Sequence, residues 1–129
     1  MGGSSLGRMK RIIRITNLIF EREARVVAEL KAVADEIDRQ IDGNLQYLDG
    51  ESDIGTALPE LMVRHAAKLS DRRKENAAEL SRQIDRTVEA RACNIGATNR
   101  LEREVRRRET ASSAATLEEL VSRIARHRR

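Results

Sequence analysis

The sequence predicts an all-α fold: a long antiparallel two-helix coiled-coil hairpin followed by a short C-terminal helix. Three observations lead there. Apolar residues recur in steps of three and four over two long stretches, the spacing that lines one face of an α-helix. Turn-forming residues gather once, in the run Asp49, Gly50, Glu51, Ser52, Asp53, Ile54, Gly55 and Thr56. Ala, Leu, Glu, Lys and Arg make up about half of the chain, while aromatic residues are 2% of the 129, namely Phe20 and Tyr47. A globular core of this size leans on several aromatics, so the expected apolar contact is a thin seam. A charged fraction of 36% fits two helices with much solvated surface.

Residues 1–7 read as a flexible lead-in. The first helix is expected over 8–48. Ile12, Ile15, Ile19, Val26, Leu30, Val33, Ile37, Ile41, Leu45 and Leu48 mark its apolar face, and the steps of four at Ile37, Ile41 and Leu45 predict local straightening of a supercoil. Such a helix is about 60 Å long at about 1.5 Å per residue.

The chain is expected to reverse over 49–57, where glycines and small polar residues favour turns and caps. Pro59 is the single proline and is tolerated in a first helical turn, where its missing N–H has no partner to lose. The second helix is expected over 58–109, with Leu58, Met62, Ala66, Leu69, Leu80, Ile84, Val88, Ile95, Leu101 and Val105 on one face. Its seam is the weaker one. Asn76, Asn94 and Asn99 either enter that seam, where an Asn fixes register at a cost in stability, or face water; both readings stay open. Thr110 to Ala115 reads as a hinge, and a short basic helix follows it to residue 129. Thr116 and Glu119 have capping-box spacing, and Leu117, Leu120, Val121 and Ile124 share a face.

Charge order supports an antiparallel alignment. With the turn near Asp53 and Ile54, residues 29–49 lie beside 58–78. Glu29, Asp35, Glu36, Asp38 and Asp42 then face Arg64, Lys68, Arg72, Arg73 and Lys74. Each exposed pair contributes only about 0.2–1 kcal/mol, so these contacts select alignment more than they supply stability.

A two-helix fold has little means of enclosing a pocket, and no catalytic, cofactor-binding or metal-binding residues are expected. His65, Cys93 and His127 lie far apart in the chain, and the alignment sets His65 roughly opposite Asn44, away from Cys93. No Cys–His nucleophilic pair follows. Asp35, Asp38 and Asp42 have helical spacing, but a solvated acidic face is commoner than a divalent-cation site. The early glycines lack the lysine and hydroxyl of a phosphate-cradling loop. The lone Cys93 forms no intrachain disulfide, which predicts a reducing cytoplasm, and no run approaches the roughly 20 apolar residues of a membrane span.

The chain is basic, with a net charge of +4 and a pI near 9.8. Two clusters carry this. Arg8, Lys10, Arg11 and Arg14 surround Met9, Ile12, Ile13 and Ile15, suiting a protein-docking terminus, an interfacial membrane helix or a nucleic-acid contact. Arg100, Arg103, Arg106, Arg107 and Arg108 are interleaved with Glu102, Glu104 and Glu109 and have no aromatic stacking partners. A solvated face is the ordinary reading of the second cluster, protein docking the next, and phosphate binding a weaker one. These nine basic residues are the candidate protein-binding positions. A second copy of the chain is a further expected partner, since a two-stranded hairpin leaves apolar edges to cover.

The basic start at Arg8, Lys10, Arg11 and Arg14, the long first helix, the central reversal and the Arg- and Glu-rich run from Arg100 to Glu109 together resemble the FliJ family of flagellar export stalk proteins. The resemblance spans nearly the whole chain. It implies a cytoplasmic antiparallel coiled coil without enzymatic activity of its own, peripheral at the inner membrane through a type III export apparatus. The partners it implies are the export ATPase ring, the export gate and export chaperones, with the two basic clusters touching the ring. The alternatives from other classes are a basic coiled coil associated with nucleic acid and a generic scaffold.

Overall fold

The computed structural model describes residues 2–50 and 57–128, with side chains described for 5–47 and 60–128. The described residues form two helices packed against each other, α1 (Gly2–Gly50) and α2 (Ala57–His127), with no strand among them. Positions 49, 50 and 57 of the expected reversal are helical, and 51–56 lie outside the described residues. The residues group into two compact units, one of residues 1–17 with 91–129 and the other of residues 18–90.

In the unit of residues 18–90, the covered face of α1 runs Phe20, Glu23, Val27, Leu30, Ala34, Ile37, Ile41, Asn44, all buried or half-buried. The steps alternate strictly between three and four. This corrects part of the expected face: Leu30, Ile37 and Ile41 are on it and Val26 is half-buried, but Ile19, Val33 and Leu45 are 42–53% exposed. The covered face is displaced by about one residue, towards Phe20, Val27, Ala34 and Asn44. The reason is periodicity. Continuing in steps of four from Ile37 and Ile41 to Leu45 drifts around the helix, whereas the step of three to Asn44 returns to the same face.

The covered face of α2 in this unit is Met62, Ala66, Leu69, Asn76, Leu80, Gln83, Thr87 and Ala90, while Ile84 and Val88 are exposed. Among the described residues only Ile37 and Leu69 are fully buried hydrophobic side chains. Burying one such side chain stabilises a fold by about 1.5–3 kcal/mol, so polar seam residues must be satisfied. The Gln83 Nε2 donates to the Glu23 backbone carbonyl at 3.3 Å and to the Glu23 carboxylate. Asp38 and Arg73 form an ion pair at 3.2 Å, within the charge alignment expected from sequence; Arg64, Lys68, Arg72 and Lys74 are exposed. The Asn44 Nδ2 is buried without a hydrogen-bond partner among the described residues.

In the unit of residues 1–17 and 91–129, α1 presents Leu6, Met9, Ile13 and Thr16 to α2 residues Asn94, Ala97, Leu101, Glu104, Val105 and Arg108. Ile12 and Ile15 are 43% and 55% exposed, again one position off the expected face. The expected flexible lead-in is helical from Gly2. Leu6 and Gly7 are partly covered, and tertiary contact of this kind carries helix through residues whose own propensity is poor.

The expected hinge at 110–115 is also helical, because α2 continues unbroken to His127. That segment has no Gly or Pro to stop it, three of its six residues are alanines, the best helix former, and the Thr116 hydroxyl donates back to the Ser112 carbonyl at 2.9 Å. Thr116 thus stands in a helix interior, not at a cap, and the short C-terminal helix is the final stretch of α2. Residues 109–128 are exposed throughout.

Candidate functional site

The two basic clusters fall in the same unit. By sequence, residues 1–17 and 91–129 hold fourteen Arg or Lys against five Glu, a net charge of +9, while residues 18–90 hold eleven against sixteen, a net charge of −5. The net charge of +4 for the whole chain therefore understates how basic one unit is.

Asn94 organises this unit. It is 7% exposed, and its Nδ2 donates to the Ile13 carbonyl at 3.1 Å and to the Thr16 hydroxyl oxygen at 3.1 Å. The Thr16 hydroxyl donates in turn to the Ile13 carbonyl at 3.0 Å. A buried amide needs such partners, since an unsatisfied one costs about 1–3 kcal/mol, and these partners exist at one axial setting of the two helices. Asn76, in the other unit, is also in the seam, and Asn99 is exposed.

With that setting, Arg8 and Arg100 come together. They line one shallow depression of about 250 Å³ with Ser5, Met9, Ile12 and Ala97, an apolar floor with a cation on each wall. Arg103 and Arg106 line a second depression of about 340 Å³ on α2 with Asn99 and Glu102. Lys10, Arg11 and Arg14 are exposed and line neither. Arg8, Lys10, Arg11, Arg14, Arg100 and Arg106 make no ion pair among the described residues.

The other three arginines are engaged. Glu104 accepts from Arg107 Nη2 at 2.6 Å and Arg107 Nε at 3.1 Å, a two-pronged contact, and from Arg108 Nε at 3.1 Å. Hydrogen bonds from Arg107, then those from Arg108, hold the Glu104 carboxyl at about 2, below the usual carboxylate range; the same contact raises the Arg107 guanidinium further above its ordinary value. Arg103 Nε donates to the Asn99 carbonyl at 3.4 Å. Glu104 thus splints Arg107 and Arg108 along the helix surface and leaves part of each guanidinium outward. Arg107 is the more open of the two, with 73% of its side chain exposed.

This arrangement offers exposed cations around one recess with an apolar floor, which suits binding to an acidic surface. Cys93 is exposed, as are His65 and His127. Among the described residues no group of three His, Cys, Asp or Glu is placed to hold a metal ion, and no helix is long and apolar enough to cross a membrane. Sequence reasoning picked out the cations but missed Ser5, Ala97 and the part of Thr16. The available signal was a second run of steps of three and four through Leu6, Met9, Ile13 and Thr16, which places these residues opposite Asn94. No protein-family model matches the chain, and searches of curated proteins and of solved structures find no match.

Proposed function

We propose that this chain is an accessory coiled-coil protein of flagellar or related type III protein export, acting by binding and not by catalysis. Its basic unit docks on acidic surfaces of the export ATPase and the export gate. The observation that carries the docking reading is the +9 charge of one unit, with Arg8 and Arg100 lining a single recess. The assignment to export rests on the resemblance in layout. In the unit of residues 18–90 the helices pack as an antiparallel coiled coil. Two cross-helix contacts support this, since Glu23 pairs with Gln83 and the later Asp38 with the earlier Arg73.

Mixing the purified chain with the cognate export ATPase is expected to alter ring assembly or hydrolysis. Arg8→Glu together with Arg100→Glu is expected to abolish the effect, and no binding at micromolar concentration refutes the reading. A second reading, phosphate contact by the same +9 unit, is a nucleic-acid-associated coiled coil. The arginines of the second cluster have no aromatic stacking partners in their stretch of sequence, which weighs against it. A salt titration separates the two: nucleic-acid affinity falls with a log–log slope of about −0.9 for each phosphate neutralised, and absence of DNA or RNA binding at low salt removes this alternative.

A further inference from the structure

The last five turns of α2 form a helix with nothing packed on it. Residues 109–128 are exposed throughout, yet Leu117, Leu120, Val121 and Ile124 recur at the spacing of one helical face and are 47–64% exposed. This stripe is the best-defined unpartnered apolar surface in its unit. Charge is ordered along the same stretch: Glu118 and Glu119 precede the centre of the stripe, and Arg123, Arg126 and Arg128 follow it. Glu119 and Arg123 already meet within the chain at 3.1 Å, with both side chains 63% exposed, so each has donor or acceptor capacity left for another molecule.

We propose that this stripe is a self-association surface, on which a second copy of the chain docks antiparallel through the same residues. The charge order makes the face complementary to itself in one direction. Two copies running the same way set Glu118 and Glu119 level with their own equivalents, and the arginines likewise. Running in opposite directions about a two-fold axis near Leu120 and Val121, the acidic turn of each copy lies level with Arg123 of the other, and Leu117 lies level with Ile124 of the second copy. A surface that complements itself under a two-fold rotation is what an isologous dimer requires. Four apolar residues per copy fall short of the roughly 1,200–2,000 Å² of a standard stable interface, so the dimer is concentration-dependent.

Cysteine crosslinking of the full chain in a Cys93→Ser background tests both partner and direction. Val121→Cys lies near the axis and is expected to form an interchain disulfide readily. Ala114→Cys lies about seven residues away, so its two copies are about 20 Å apart in the antiparallel pair at about 1.5 Å per residue, and it is expected to stay reduced. Crosslinking at both positions indicates parallel pairing and overturns the proposal. No crosslinking at either, with a monomer in sedimentation at the same concentrations, also overturns it and leaves the stripe to a different protein. Arg123→Glu is expected to weaken dimerisation several-fold, with Glu118→Arg and Glu119→Arg restoring it when combined. Helical circular dichroism monitors the fold of every variant, and because all these side chains are exposed it is expected to be unchanged.

Discussion

Replacing Asn94 by Ala removes the two hydrogen bonds that set residues 13–16 of α1 against α2. Each such bond contributes about 0.5–1.5 kcal/mol net, which gives a loss of about 1–3 kcal/mol. The structure narrows this. After truncation the Ile13 carbonyl still accepts from the Thr16 hydroxyl at 3.0 Å, so it is not stranded, and the expected loss is in the lower half, about 1–2 kcal/mol. Asn99 provides the control: it is the same residue type five positions on, with an exposed side chain, and Asn99→Ala is expected to stay within about 0.5 kcal/mol. Urea denaturation followed by helical circular dichroism measures both. Asn94→Leu separates stability from register. Burying an apolar side chain gains about 1.5–3 kcal/mol, so this variant is expected to match or exceed the parent in stability while losing the single preferred setting, as when buried asparagines are removed from coiled coils. If Asn94→Ala costs no more than Asn99→Ala, Asn94 does not anchor the unit.

The Glu104 carboxyl is expected to titrate near 2 in a carboxyl NMR titration of the folded protein, against about 4.3 for an unperturbed Glu. Because its folded value is depressed, its contribution is fully present above the unfolded value and is lost as pH falls through the folded value of about 2; a midpoint above 4 refutes the Arg107 and Arg108 splint. Gly43 and Gly96 are exposed helix-interior glycines where an added Cβ meets nothing within 4 Å, and neither has positive φ. Gly43→Ala and Gly96→Ala are each expected to raise stability by about 0.5–1 kcal/mol in the same urea assay, and a loss in either refutes the open environment described for it.

The helical class was legible from the spacing of apolar residues, and the basic positions from their types. Which face of α1 is covered was not. Ile12, Ile19, Val26 and Val33 form one apolar column, and Ile13, Phe20, Val27 and Ala34 form another directly beside it. Both have heptad spacing, and hydrophobicity favours the first. The structure covers the second, whose companions Thr16, Glu23 and Asn44 are polar and so hide the pattern. On α2 the covered face includes Asn76, Gln83, Thr87 and Asn94, for which apolar periodicity gives no signal; Gln83 and Asn94 are held there by hydrogen bonds to Glu23, Ile13 and Thr16 of α1. The Arg8 and Arg100 recess was hidden for the same reason, since it depends on the setting that Asn94 selects.

The scarcity of fully buried aliphatic side chains, with Ile37 and Leu69 alone among the described residues, bears on how the protein responds to temperature. The heat capacity of unfolding rises with the apolar surface exposed and falls with the polar surface exposed, and a seam containing Asn76, Gln83 and Asn94 releases much of the latter. Its increment therefore lies below the about 12–15 cal/mol/K per residue of ordinary domains. A small increment flattens the stability curve. Cooling then strengthens or weakens the helix pairing only slightly.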